Sequence, residues 1–143
     1  MARITNRKLS IKHDHEKKLA HVKVTCTVNF NSIELCQMKL CPKARLFRLK
    51  CELWSYDITL PEIMFGEGNR SLYTFSNVFY FPDPTPTSSE DRTFEVTLGE
   101  GVLDEDGWEG GYVDEILGKL YLFNLYTTKM VVGNTNIVSH SFE

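Results

Sequence analysis

A chain of 143 residues, 42% hydrophobic and 24% charged, is long enough to bury its own core and is expected to fold as one domain spanning residues 1–143. A net charge of −3 gives no global basic field and argues against a nucleic-acid partner. No apolar run of about 18 residues is present, so no transmembrane segment is expected; no apolar signal segment opens the chain, so the expected location is cytoplasmic, with the cysteines as thiols.

Leu9 and Ile11 sit between Lys8, Ser10 and Lys12 as a short amphipathic strand. The polar stretch His13 to Lys18 reads as a hairpin connection. Val22, Val24, Cys26, Val28 and Phe30 then alternate with polar residues, the period of a half-buried strand. A less regular apolar run follows from Ile33 to Leu40 and stops at Cys41-Pro42. Alternation returns with Phe47, Leu49, Cys51 and Leu53 against Arg48, Lys50 and Glu52. The segment 57–70 holds Pro61 and two glycines and reads as a connection. Tyr73, Phe75, Phe79 and Phe81 suggest one long aromatic strand, with Asn77 as an inward polar residue. Three prolines between 82 and 92 predict loop. Phe94, Val96 and Leu98 mark a strand, as do Ile116 to Tyr126, Met130 to Val132 and Ile137 to Phe142. Gly133-Asn134 is the expected hairpin turn between the last two. About eight strands joined by turns predict an all-β fold, an antiparallel β-sandwich of Greek-key, C2-like or immunoglobulin-like type, with a closed barrel as the runner-up.

The segment between Leu98 and Ile116 concentrates Asp104, Glu105, Asp106, Glu109, Asp114 and Glu115. Carboxylates on a loop held by two strands suit a hard cation such as calcium. The EF-hand template fails, since Val102 and Val113 occupy ligand positions. The run Val102-Leu-Asp-Glu-Asp-Gly, followed by Val113-Asp-Glu-Ile-Leu-Gly118, resembles the third calcium loop and following strand of C2 domains. That resemblance implies an eight-stranded sandwich that binds calcium, phospholipid or protein, with Asp104, Asp106 and Asp114 as calcium ligands and Gly118 opening the next strand. Taken from the residues alone, the same pattern reads first as a solvated acidic loop with no ion.

Cys26, Cys36, Cys41 and Cys51 lack the close pairs of a zinc site. Cys26 and Cys51 fall on inward positions and read as small buried hydrophobes. His13, His15 and His21 form a polar cluster that either holds a transition metal across the hairpin or is a charged turn among lysines. Trp54, on the outward parity of its strand, and Trp108, in the acidic segment, are the expected anchors for a protein partner. Ser139-His140 comes with no nucleophile elbow, and no phosphate loop, dinucleotide fingerprint or HExxH motif occurs. The chain therefore reads as a non-catalytic binding module for a protein partner or for another copy of itself. A calcium- or lipid-responsive module and a small hydrophobic ligand carrier are the alternatives, with no cofactor, or calcium, expected.

Overall fold

The strand with the cleanest alternation becomes the centre of one sheet. In the computed structural model, which describes residues 1–41, 43–55, 70–103 and 114–142, β1 (Arg3–Asp14), β2 (Leu19–Asn29) and β6 (Ser89–Gly99) form a three-stranded antiparallel sheet in the order β1-β2-β6. Val22, Val24, Cys26 and Val28 point inward and are buried. β1 begins well before Leu9 because a bulge hides its alternation. Ile4 and Leu9 both face the core, yet an odd spacing would send them to opposite faces. Asn6, at φ 50°, and Arg7 together oppose Cys26, between the pairs Thr5↔Thr27 and Lys8↔Thr25. The extra residue resets the parity.

The second sheet is built on β3 (Phe47–Ser55) and β7 (Asp114–Asn124), paired antiparallel from Phe47↔Asn124 to Ser55↔Ile116. Each is flanked by an edge strand in two pieces. β4 (Arg70–Thr74) and β5 (Phe79–Phe81) both pair with β3. β8 (Met130–Asn134) and β9 (Val138–His140) both pair with β7. The sheets stack as a sandwich, and Phe81, Phe94, Leu49, Leu53, Leu120 and Phe142 fill the space between them.

Three expectations are revised, and the apolar run 33–40 is assigned to an element. The aromatic stretch 72–81 is not one strand: β4 ends at Thr74, β5 starts at Phe79, and Asn77 between them is exposed rather than inward. A buried amide without partners is costly, and breaking the strand avoids it. Gly133-Asn134 is not a hairpin turn, because β8 and β9 lie end to end along the same side of β7. At the joint, Thr135 donates its N–H to Gly118 O at 2.9 Å, and its hydroxyl accepts the Gly118 N–H at 2.8 Å. The apolar run after Asn31 is a helix, α1 (Ser32–Leu40), started by a reciprocal capping box between Asn31 and Glu34. Finally, β6 starts at Ser89, within the stretch expected as loop.

Side chains also seal one edge of the sandwich. The Asn136 amide accepts the Leu9 N–H at 2.8 Å and donates to Leu9 O at 3.1 Å, joining β1 to the β8–β9 edge. After β6 a single helical turn, α2 (Glu100–Leu103), buries Leu103. Among the described residues no helix is long and apolar enough to cross a membrane.

Candidate functional site

Strand parity gives the two sheets different outer faces. On the first sheet the outward rows are Ser10, Lys23 and Glu95, then Lys12, His21 and Thr97. They are polar throughout, and the Lys23–Glu95 ion pair at 3.7 Å is exposed, so this face is stable in water as it stands.

The outer face of the second sheet is different. Its rows are Arg48, Phe123 and Met130; Lys50, Tyr121 and Val132; Glu52 and Lys119; and Trp54 and Leu117. Tyr80 lies beside Arg48 on β5. Met130 and Val132 are 52% and 48% exposed. Three cations lie over aromatic rings: Lys119 over Trp54 at 4.1 Å, Arg45 over Tyr80 at 4.3 Å and Arg48 over Phe123 at 5.3 Å. Each such pair contributes about 0.5–1 kcal/mol at an exposed site. Glu52 is the acidic member of these rows. Burial pushes its carboxyl pKa up, but hydrogen bonds from Tyr121, Ser71 and Thr74 outweigh that and hold it below the ordinary value. The Ser71 and Thr74 hydroxyls donate to Oε2 at 3.1 and 3.2 Å. Tyr121 responds in the opposite sense: burial and the Glu52 carboxylate push its phenol to about 12.

Trp54 therefore occupies the outward position expected for it, but half-buried, with its ring covered by Lys119. Trp108, Asp104 and Asp106 lie outside the described residues. Asp114 opens β7 and pairs in the ladder with His140. Phe75 and Phe79 of the aromatic stretch 72–81 meet Phe94 tilted and edge to face, with ring centroids 5.5 and 5.1 Å from it.

A second group of side chains meets where the β1–β2 hairpin, α2 and β9 converge. His13 is the penultimate residue of β1, His15 sits on the turn and His140 closes β9. One ring nitrogen from each lies within 4.8 Å of the other two. His13 Nδ1 is 3.0 Å from His140 Nε2, and His13 Nε2 is 2.9 Å from Glu100 Oε2. The side chain of His13 is only 3% exposed. Its ring and that of His140 rest 5.2 and 4.9 Å from Phe142, which is fully buried. Burial, together with the His13 and His15 rings, lowers the pKa of His140.

His21 does not join this group. It faces outward on β2, with Nδ1 2.9 Å from Thr97 Oγ1. The spacing His13-x-His15 placed two of the three rings correctly. The third, His140, depends on β9 pairing with the start of β7, which no local pattern reveals. The four cysteines are free; Cys26 and Cys51 are buried, Cys36 and Cys41 exposed. Burial pushes the Cys26 thiol up to about 11 and raises that of Cys51 as well. No protein-family model and no curated protein matches the chain.

Proposed function

We propose that the protein is a non-catalytic protein-binding module and that its working surface is the outer face of the second sheet. The observation that carries this reading is the composition of that face. Arg45, Arg48, Lys50 and Lys119 surround Trp54, Tyr80, Tyr121 and Phe123, with Met130 and Val132 exposed at the edge. Aromatic residues and arginine are the residue types that dominate binding energy at protein interfaces. Four cations against Glu52 favour a partner carrying acidic and apolar side chains together.

The size of the face sets the kind of partner. Three inter-strand spacings of about 4.8 Å and six residue steps of about 3.3 Å give a platform of roughly 14 by 20 Å. That is less than half of the roughly 800 Å² that each side contributes to a standard interface. A short acidic segment of a partner fits it better than a whole globular surface. Bases of a nucleic acid fit it less well, because the cations already cover the ring faces on which bases would stack.

Selection of a displayed random-peptide library against the full chain tests the reading. Acidic sequences with aromatic or aliphatic residues should be enriched, and their affinity should fall at least tenfold for the Arg48→Glu/Lys119→Glu double variant. Equal binding by the double variant would refute it.

A further inference from the structure

We propose that His13, His15 and His140 form a three-histidine site for a late first-row divalent cation such as zinc, and that the ion staples the C-terminal edge strand to the first hairpin. The donor type comes first. Neutral imidazoles are borderline ligands that suit zinc, copper and nickel and do not suit calcium or magnesium. Three protein nitrogens leave one position of a tetrahedral ion open.

The hydrogen-bonding pattern already orients one ligand. A carboxylate only accepts, so the 2.9 Å contact to Glu100 Oε2 places the proton of His13 on Nε2. His13 Nδ1 then presents its lone pair toward His140 Nε2. This is the arrangement found at metal sites, in which a ligating histidine gives its other N–H to a carboxylate. In the metal-free chain His140 Nε2–H fills the gap as a donor. On loading, that proton moves to His140 Nδ1 and the ion takes its place.

Distances decide how far the chain must move. Zinc–nitrogen bonds of about 2.0–2.1 Å at tetrahedral angles set ligand nitrogens roughly 3.3 Å apart. His13 Nδ1 and His140 Nε2, at 3.0 Å, need to separate by a few tenths of an ångström. His15, whose nitrogen lies within 4.8 Å of the other two, closes the rest, and it sits on an exposed turn free to adjust. The nearby cations do not point into the site. Lys12 faces the outer side of β1, Lys17 and Lys18 are exposed, and Glu100 places a negative charge against His13.

The position gives the ion its role. β9 is three residues long and stands at the end of its sheet. A bond from His140 to His13 joins residues near opposite ends of the chain, and such long closures remove the most unfolded-state entropy.

The test titrates Zn²⁺ into the full chain in a non-coordinating buffer, followed by calorimetry and by thermal melting. The expected result is saturation at one equivalent with a rise in Tm. His15→Ala and His140→Ala, whose side chains are exposed, should each lower affinity at least tenfold and abolish the rise. Glu100→Gln should lower affinity by roughly ten- to a hundredfold. His21→Ala and the Cys36→Ser/Cys41→Ser pair should bind as the wild type does. Binding without a one-equivalent end point, unchanged affinity in His140→Ala, or loss of binding in the cysteine variant would each overturn the proposal. His13→Ala risks unfolding the chain, so ¹⁵N spectra of the wild-type imidazoles replace it. Zn²⁺ must shift the His13, His15 and His140 ring nitrogens and leave His21 in place; a shift confined to His21 would overturn the assignment.

Discussion

Thr135 holds the joint between β8 and β9, and replacing it separates a hydrogen bond from a methyl group. Its hydroxyl accepts the buried Gly118 N–H at 2.8 Å and donates to Asn136 O at 2.9 Å. A Cβ on Gly118 would stand 3.1 Å from Thr135 Cγ2 and 3.3 Å from Val24 Cγ2, so the two strands and the facing sheet meet here with no spare room. Thr135→Val keeps the shape and removes the acceptor, leaving the Gly118 N–H buried and unpaired at a cost of about 1–3 kcal/mol. Thr135→Ser keeps the acceptor and removes one methyl, costing about 1 kcal/mol. Unfolding entropy near 2.1 cal/mol/K per residue gives about 0.3 kcal/mol/K for 143 residues. Valine should therefore lower Tm by about 3–10 °C and serine by about 3 °C. Circular-dichroism melts of the three proteins under one buffer measure both shifts, and amide exchange at Gly118 should quicken in the valine variant alone. A valine variant that melts with the wild type and leaves amide exchange at Gly118 unchanged would refute the reading, because packing rather than the hydroxyl would then hold the joint.

Three further outcomes follow from the same structure. Phe94, fully buried against Phe75 and Phe79, should cost about 3–5 kcal/mol when cut to alanine, a Tm loss of roughly 10–17 °C in thermal melts; a loss below about 3 °C would mean that the core is packed otherwise. A thiol reagent at pH 8 should label Cys36 and Cys41 in the native chain, and Cys26 and Cys51 only after denaturant, since burial pushes the Cys26 thiol to about 11. Glu52 has a depressed folded-state pKa, so its contribution to stability is full above its unfolded value and is lost as pH falls through the folded one. Urea titrations should show Glu52→Gln losing less stability than the wild type as pH is lowered below about 4.5, and parallel losses would contradict the hydrogen-bonded placement of its carboxylate.

The sandwich was legible where alternation ran uninterrupted. β2 and β3 were read from the alternation of Val22–Val28 and Phe47–Leu53, and β7 from the apolar run Ile116–Tyr126; these are the central strands of the two sheets. The misreadings fall where alternation breaks. The Asn6–Arg7 bulge concealed the first half of β1, and the Thr135 joint turned one interrupted edge into an apparent hairpin. Sequence did carry the signal for α1, an Asn-x-x-Glu capping box at Asn31 and Glu34, but the apolar run behind it lacks a helical stripe: Met38 is its buried residue, while Ile33 and Leu40 are exposed. The outward position of Trp54 followed from parity. Its cover by Lys119 did not, because that contact crosses diagonally between β3 and β7 and depends on their register. His13 and His15 were grouped correctly from their spacing, and the wrong third histidine was chosen because His21 is near in sequence whereas His140 is near only in space.

Chemical-shift mapping of a peptide selected by display tests the binding face most directly. On addition of the peptide, the amides of 48–54 and 117–123 should shift together with those of Met130 and Val132. Shifts centred instead on Lys12, His21 and Thr97 of the opposite sheet, or on Ile33, Leu40 and Tyr126 at the α1 end, would contradict the account.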